Sequence, residues 1–303
     1  MKNEYLDART RNLILILFLI GVFMGSLDTG IIGPVLPSIE HRFGLTSRES
    51  SWIFTLFVIA FMIGSPIMAK FSDFYGRRKI FIMDVILFGI GSCLIAFSTG
   101  IESIFLGRVI QGFGCGGIFP VGGAFIGDAF PLEERGKALG ILGSVFGISA
   151  IGGPLVGAAL IPFGWQWCFT INIPIAIFII AFAWYILPEM EEDKKMKIDY
   201  LGILILSLLA IFLAYGLNQI DSSNFINSLL SLNVAPYLII FIILIPIFFR
   251  IEKRAQDSIV PIHMLKNKEI SIACIETLCY GIIYSSAIFI PSLVILSMGL
   301  NNQ

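Results

Sequence analysis

Long apolar stretches alternate with short polar segments along the whole chain. Nine of the stretches are long enough to cross a bilayer core, which takes about 20 apolar residues in a helix. These stretches, called spans 1 to 9 below, cover residues 13–36, 50–69, 80–98, 103–126, 137–160, 168–187, 200–217, 234–249 and 270–298. Because backbone polar groups in hydrocarbon must bond within their own segment, the pattern predicts an all-α, polytopic membrane helix bundle.

The segments between the spans differ in charge. Lysines and arginines fall almost entirely in alternate segments, starting with the N-terminal one; the exceptions are Arg42, Arg48 and Arg108, the last inside span 4. Basic residues are retained on the cytoplasmic side of a membrane. We therefore expect a multi-pass protein of the cell (plasma) membrane with a cytoplasmic N-terminus. The first apolar stretch runs to about Leu36 without a small-residue cleavage site, so we interpret it as a span and not as a signal peptide.

Composition excludes several classes of protein and site. Of the 303 residues, 57% are hydrophobic and 14% are charged, against about 25% charged in soluble domains. The net charge of −1 gives no reason to expect a nucleic-acid partner. The cysteines form no CxxC pair and the histidines are distant from them in sequence, so we expect no metal and no cofactor. The chain also has no Ser/His, paired-Asp or H-E-x-x-H arrangement, which argues against an intramembrane enzyme.

Glycines are concentrated in spans 1, 4 and 5. Six pairs are spaced four residues apart: Gly21/Gly25, Gly112/Gly116, Gly123/Gly127, Gly136/Gly140, Gly143/Gly147 and Gly153/Gly157. Small residues four apart share a helix face and let two backbones approach closely, so we expect tight packing along these faces. Pro154 removes a backbone donor inside span 5 and is expected to kink it.

Five motifs in this order resemble those of the major facilitator superfamily. Ala69–Lys79 is similar to the family's G-x-L-x-D-R-x-G-R-R loop between spans 2 and 3, and Arg108–Gly114 is similar to its span-4 motif R-x-x-Q-G-x-G. Ser149–Gly157 resembles the span-5 antiporter motif. Leu27–Pro37 and Gly164–Pro174 are similar to marks of the fourteen-helix drug:proton antiporter subgroup. The residues that match the antiporter motif are Gly153, Pro154 and Gly157.

The chain also departs from the family's pattern. Ala69 stands for the first glycine of the loop, and Phe74 stands for its usual arginine. Gly30 and Gly33 occupy positions that are usually Thr and Asn in the subgroup, and Gln166 replaces an arginine. The changes near span 1 leave the substrate range open.

The resemblance implies a domain organisation. Residues 1–188 would form an N-terminal six-span transport bundle, and 189–250 a cytoplasmic linker with two inserted spans. Residues 251–303 would form a second cytoplasmic linker with the first span of an incomplete C-terminal bundle. Since the family has twelve or fourteen spans, we expect the chain to be a fragment or the product of a truncated gene.

Charged residues inside apolar spans are the first candidates for transport chemistry. By helix rise, Asp28 in span 1 and Arg108 in span 4 fall at nearly the same depth. A charge at the bilayer centre costs ~2.5–3.5 kcal/mol, so such residues are functional hypotheses. We expect Asp28, Arg108 and Gln111 to line one cavity, with Cys115 on the same face of span 4. Glu276 in span 9 is a candidate second proton or cation site, or else a shallow, water-exposed glutamate.

Two interpretations of Asp28 remain open. In the first, it takes and releases a coupled proton, because the ionisation of a buried carboxyl responds to solvation and to nearby charge. Opening the cavity to either side would then switch its protonation. In the second, Asp28 and Arg108 form a structural pair that holds spans 1 and 4 together.

A second group of candidates lies at the cytoplasmic edge. The resemblance implies a gating loop that latches two bundles together in one state. Its residues are Asp73, Gly76, Arg77, Arg78 and Lys79. Gly76 permits the tight turn. Asp84 is expected to join this charge cluster, and segment 128–137 is expected to be the same device in the repeat-related position. Anchoring by cytoplasmic positive charge is the alternative.

The residues and the resemblance together predict a secondary active transporter. The leading hypothesis is proton-coupled efflux of drug-like or amphipathic small molecules by alternating access. Its partners would be a small-molecule substrate, protons and the lipid bilayer. The alternatives are transport of a specific metabolite, since a fold does not fix a substrate, and a truncated fragment that does not transport.

Overall fold

The computed structural model describes residues 6–189, 199–221, 224–279 and 281–282, and the regular structure within them is helical. Eight helices in these ranges are long and apolar enough to cross a membrane. In order, spans 1 to 8 are Ala8–Phe43, Ser47–Tyr75, Arg77–Ala96, Ile101–Ala129, Leu132–Leu160, Trp167–Ile186, Tyr200–Asn218 and Ala235–Glu252. The predicted all-α fold class is confirmed.

Each of the first eight predicted spans corresponds to one of these helices, with three details added. Span 6 is divided at Ile171 into Trp167–Thr170 and Asn172–Ile186. Shorter helical segments of the described residues include Ile161–Phe163, which continues directly from span 5, Phe225–Leu229 and Ile262–Lys266. Residues 268–279 are helical, and most of the remainder of predicted span 9 lies outside the described residues.

The turn between spans 1 and 2 follows from its local sequence. Gly44, with a φ of 65°, ends span 1 in the left-handed conformation that glycine adopts without strain. Thr46 then caps span 2: its hydroxyl accepts from the backbone N–H of Glu49, whose carboxylate accepts from the backbone N–H of Thr46 at 2.8 Å. This reciprocal capping box satisfies two donors at the start of the helix.

Span 4 lies at the centre of the bundle because its glycines admit the neighbouring backbones. A Cβ at Gly112 would overlap the carbonyl of Phe57 in span 2, and one at Gly116 would lie 2.6 Å from the carbonyl oxygen of Phe61. On the other side, a Cβ at Gly91 of span 3 would lie 2.6 Å from the backbone nitrogen of Gln111. Spans 2 and 3 therefore pack directly on the backbone of span 4.

Span 5 departs from the expectation that all of its glycine pairs mediate close packing. Among the described residues, a Cβ at Gly136, Gly140, Gly143 or Gly147 would meet no heavy atom within 4 Å. These glycines lie on a face turned away from the other spans, whereas Ala138, Leu142 and Val145 of the same helix are buried. The helix continues through Pro154 to Leu160.

Spans 7 and 8 pack against each other, and span 7 also lies along span 2. The amide of Asn218 donates to the hydroxyls of Ser51 and Thr55, both at 3.0 Å. The ring of Tyr215 lies 5.5 Å from that of Trp52, centre to centre. The predicted inserted spans therefore dock on the outside of the first six, while the domain boundaries stay a prediction.

Replacing Gly112 with alanine tests the packing of span 4. The added methyl group overlaps the Phe57 carbonyl, so we expect the free energy of unfolding to fall by roughly 1–3 kcal/mol, as for other overpacked positions. The matched control is Gly140→Ala, which meets open space and should be neutral or stabilising, since alanine is the better helix former by about 1 kcal/mol. Unfolding in detergent measures both variants, and equal stability would contradict the packing.

Candidate functional site

Five polar side chains from four spans meet inside the first six spans. They are Asp28 of span 1, Ser92 of span 3, Arg108 and Gln111 of span 4, and Asn172 of span 6, and each is 0% exposed. We call these five residues the polar network. Buried charges and amides are tolerated only where they are paired and hydrogen-bonded, so their contacts define the geometry of the site.

Arg108 is held from three sides. Its Nη1 donates to Asp28 Oδ2 at 2.6 Å and to Gln111 Oε1 at 2.6 Å. Its Nε donates to the carbonyl oxygen of Ile53 in span 2 at 3.0 Å. The guanidinium carbon lies 4.1 Å from the centre of the Phe57 ring, also in span 2, which adds a cation–π contact. Groups from spans 1, 2 and 4 thus contact the single positive charge of Arg108.

Asp28 receives hydrogen bonds from three side chains. Arg108 occupies Oδ2, while Gln111 Nε2 and Asn172 Nδ2 both donate to Oδ1 at 2.9 Å. Gln111 Nε2 also lies 2.9 Å from Ser92 Oγ and donates to it. Side-chain donors therefore take the place that water has around an exposed carboxylate.

Some polar atoms in and beside the network are not used. Within the described residues, Arg108 Nη2 and Asn172 Oδ1 have no hydrogen-bond partner, nor does the buried hydroxyl of Ser149 in span 5. An unsatisfied buried group costs about 1–3 kcal/mol. The network therefore leaves one donor group and one acceptor unpaired within the described residues.

Two glycines of the segment that resembles the antiporter motif hold span 5 against span 1 next to Asp28. A Cβ at Gly153 would lie 2.6 Å from the Cα of Gly30, and a Cβ at Gly157 would lie 3.4 Å from the carbonyl oxygen of Ile31. Gly30, two residues from Asp28, is one of the departures from the family pattern. Any larger residue there would meet the backbone of Gly153, so the glycine fits this close crossing.

The surroundings of the network differ from the expected cavity. The predicted residues Asp28, Arg108 and Gln111 come together, but helix packing encloses them on every side. A small apolar cavity lies beside them, where spans 1, 2, 4 and 5 meet. Its lining residues are Gly21, Val22, Gly25, Ser26, Phe61, Cys115, Ile118, Phe119 and Phe146. Only Cys115, of the four residues expected to line one cavity, is among them.

The predicted gating loop makes contacts with the first six spans. Gly76, with a φ of 92°, forms the turn between spans 2 and 3. Arg77 Nη1 lies 3.1 Å from Asp73 Oδ1, and Arg77 Nε lies 2.5 Å from Asp128 Oδ2 at the end of span 4. This pairing brings the loop and the predicted repeat-related segment into one cluster.

The neighbouring basic residues of the loop lie on the protein surface. The Arg78 guanidinium lies 5.1 Å from the Trp184 ring of span 6 and 3.9 Å from the carboxylate of Glu189. The side chain of Lys79 is exposed. Arg78 therefore ties the loop to span 6, as Arg77 ties it to span 4.

The structure also places two other candidates. The expectation that Asp84 joins the cytoplasmic charge cluster is wrong: its side chain is 0% exposed and neither oxygen has a hydrogen-bond partner among the described residues. The direction in which Asp84 points depends on the rotation of span 3, which an apolar sequence does not reveal. Glu276 is exposed on the 268–279 helix and does not join the polar network.

Sequence reasoning missed Ser92 and Asn172 as members of the site. The available signal was a polar side chain within a long apolar stretch, which in membranes is expensive and usually has a partner. Ile53 and Phe57 carried no such signal, because one contributes a backbone carbonyl and the other an ordinary aromatic ring.

Comparison with known proteins identifies relatives over almost the whole chain. The sequence profile of the Major Facilitator Superfamily matches residues 18–302. The uncharacterized MFS-type transporter YfiU of Bacillus subtilis (strain 168) is 36% identical over 300 residues, which cover 97% of this chain and 58% of the relative. Multidrug resistance protein 3 of the same organism is 33% identical over 278 residues, covering 91% and 54%. The chain thus spans little more than half the length of these relatives.

A solved structure supports the same fold. The human organic anion transporter MFSD10 (TETRAN) matches with a TM-score of 0.56 at 18% sequence identity, over 74% of this chain and 60% of that one. At this identity the likeness concerns the arrangement of helices alone.

Removing Asp28 tests the energetics of the network. Asp28→Ala leaves the Arg108 charge buried without its counter-charge, and we expect the free energy of unfolding to fall by roughly 3–5 kcal/mol. Asp28→Ala with Arg108→Met removes both charges and should recover most of that loss. Unfolding of the wild type, both single variants and the double variant gives the coupling energy. Additive losses in the double variant would show that the two charges do not stabilise each other.

Proposed function

The chain belongs to the Major Facilitator Superfamily, and from that premise we propose that it is a proton-coupled exporter of drug-like or amphipathic small molecules. Proteins of this family are membrane transporters and not enzymes. One observation carries the proposal: a carboxylate, Asp28, lies fully buried at the crossing of several helices and is neutralised by Arg108 at 2.6 Å. The name of Multidrug resistance protein 3 supports the substrate class.

In this proposal Asp28 is the group that binds the transported proton. The ionised carboxylate satisfies Arg108, so the network is closed when no proton is bound. A proton that adds to Asp28 Oδ2 cancels the carboxylate charge and leaves the guanidinium without its counter-charge. Since an uncompensated buried charge is costly, the protonated network favours an arrangement in which water or a substrate reaches Arg108. Proton binding would thereby shift the helices.

The apolar cavity next to the network has room for little more than one water molecule in this arrangement. We propose that it widens into the substrate site when the helices move apart. Phe119 and Phe146 line it with their ring centres 5.2 Å apart, and Phe61 faces it from span 2. Aromatic walls suit flat, amphipathic molecules and cations. Cys115 borders the cavity and lies one helical turn from Gln111 in the network. A bound substrate would therefore press on the crossing of spans 1 and 4 that holds the ion pair.

Alternating access needs contacts that break at the inner face. We propose that the Arg77 pairs with Asp73 and Asp128 hold the inner ends of spans 2, 3 and 4 together in this arrangement and separate when the inner side opens. The close contact of Gly153 with Gly30 would let span 5 slide on span 1, since no side chain interlocks there. The proposal also includes domain boundaries at residues 188 and 250 and membership in the fourteen-helix subgroup.

The proposed location is the plasma membrane with the N-terminus in the cytoplasm. Export driven by the proton gradient requires this setting, because the gradient lies across that membrane. The distribution of basic residues among the connecting segments supports the orientation.

Transport by Asp28→Asn tests the coupling role. Asparagine keeps the size of the side chain but carries no titratable proton, so we expect proton-driven efflux of a fluorescent amphipathic dye from cells to be abolished. Glu102→Gln is the control, because it neutralises an exposed acid at the outer end of span 4 and should export normally. Unchanged efflux by Asp28→Asn, at equal protein level, would refute the proposed role.

Labelling of single cysteines from outside the cell tests the orientation. In a variant whose native cysteines are replaced by serine, we expect a cysteine at Gly100 to react with a membrane-impermeant maleimide. A cysteine at Lys79 should react only after the cells are permeabilised. The reverse pattern would overturn the proposed topology.

A further inference from the structure

A second buried carboxyl lies outside the polar network. Asp84 of span 3 is 0% exposed, and neither of its oxygens has a hydrogen-bond partner among the described residues. It forms no ion pair in the part of the chain that the structure describes, whereas Asp28 receives three side-chain donors. The two aspartates of this bundle thus differ in their surroundings, since hydrogen-bond donors surround Asp28 and do not reach Asp84 within the described residues.

The carboxyl of Asp84 fits into a space that span 4 leaves free. A Cβ at Gly117 would overlap this carboxyl, and a Cβ at Gly114 would overlap the backbone carbonyl of the same aspartate. Only glycine at both positions lets the two helices close over an aspartate side chain. The site is therefore built from both partners, with the acid on span 3 and the recess on span 4.

Within the part of the chain that the structure describes, the helices packed around Asp84 place no opposite charge against it. On span 4, Cys115 lies within electrostatic range, and Arg108 is engaged by Asp28. On span 2, the ionisable side chains within the helix are those of Glu49, Arg48, Lys70, Asp73 and Tyr75, and span 6 contributes only Cys168 and Tyr185. None of these groups bonds to Asp84 within the described residues.

An ionised carboxylate in such surroundings is very costly, and buried groups without partners become neutral instead. We propose that Asp84 is a proton-binding site that holds a proton while spans 3 and 4 are packed together and releases it when water enters this contact. The bound proton removes the charge of the carboxyl, so the two helices can stay packed over it. This role does not require that Asp28 carries the transported proton, so each proposal is tested separately.

The direction of the pH dependence follows from the site. The packed arrangement binds the proton, and the separated, hydrated arrangement loses it more readily. The contact between spans 3 and 4 is therefore most stable at low pH and is weakened as the pH rises. A neutral side chain of similar size at this position removes that dependence.

Infrared difference spectroscopy of the purified protein at neutral pH tests the site directly. A protonated carboxylic acid has a carbonyl stretch that is well separated from carboxylate bands. We expect Asp84→Asn to abolish one such protonated band, and Glu133→Gln, which changes an exposed acid at the start of span 5, to leave it in place. Loss of a carboxylate band instead, or no loss of a protonated band, would overturn the proposal.

Thermal unfolding across a pH series gives a second readout. The wild type should lose stability relative to Asp84→Asn as the pH rises, with the two curves converging at low pH. If Asp84→Asn is not obtained as folded protein, Asp84→Ser provides the same comparison. Parallel curves for the wild type and the neutral variant would show that no proton is lost from Asp84, and would leave the Asp28 transport experiment unaffected.

Discussion

A guanidinium group enclosed by apolar helices has to be neutralised where it lies, and this requirement organises the centre of the protein. Arg108 meets it with the carboxylate of Asp28, the side-chain oxygen of Gln111 and a backbone carbonyl of span 2. Each partner is supplied by a different part of the chain. Breaking one of these contacts leaves a buried charge whose desolvation cost is no longer compensated. The spans that contribute to the pair are therefore held in one arrangement.

The pair can form only because the helices approach one another closely. Gly91 and Gly112 let spans 3 and 2 rest on the backbone of span 4, and Gly153 lets span 5 cross span 1 beside Asp28. Glycine thus has two effects in this bundle. It brings the polar groups within hydrogen-bonding distance, and it leaves helix contacts in which no side chain interlocks with the neighbouring helix. Helices without interlocking side chains can move against each other, as the helices of a transporter that changes shape must do.

Asp28 and Asp84 show how environment decides the chemistry of one residue type. Three side-chain donors surround the first, whereas the second lies against Gly117 and has no hydrogen-bond partner among the described residues. The acids at the ends of spans 2 and 4 are a third case, since Asp73 and Asp128 are partly exposed and share Arg77. The aspartate side chain is the same in all three cases. What differs is its depth in the bundle and the helix that it faces.

The sequence by itself determined the number and order of the first eight spans, the all-helical class, the family and the candidates Asp28, Arg108 and Gln111, because hydropathy and motifs are local properties. It did not determine the membership of Asn172, the burial of Asp84 or the open glycine face of span 5. Those depend on the rotation of each helix about its axis. In a soluble protein a polar face reveals that rotation, but a membrane helix is apolar on most sides, so only the packing of distant segments fixed it.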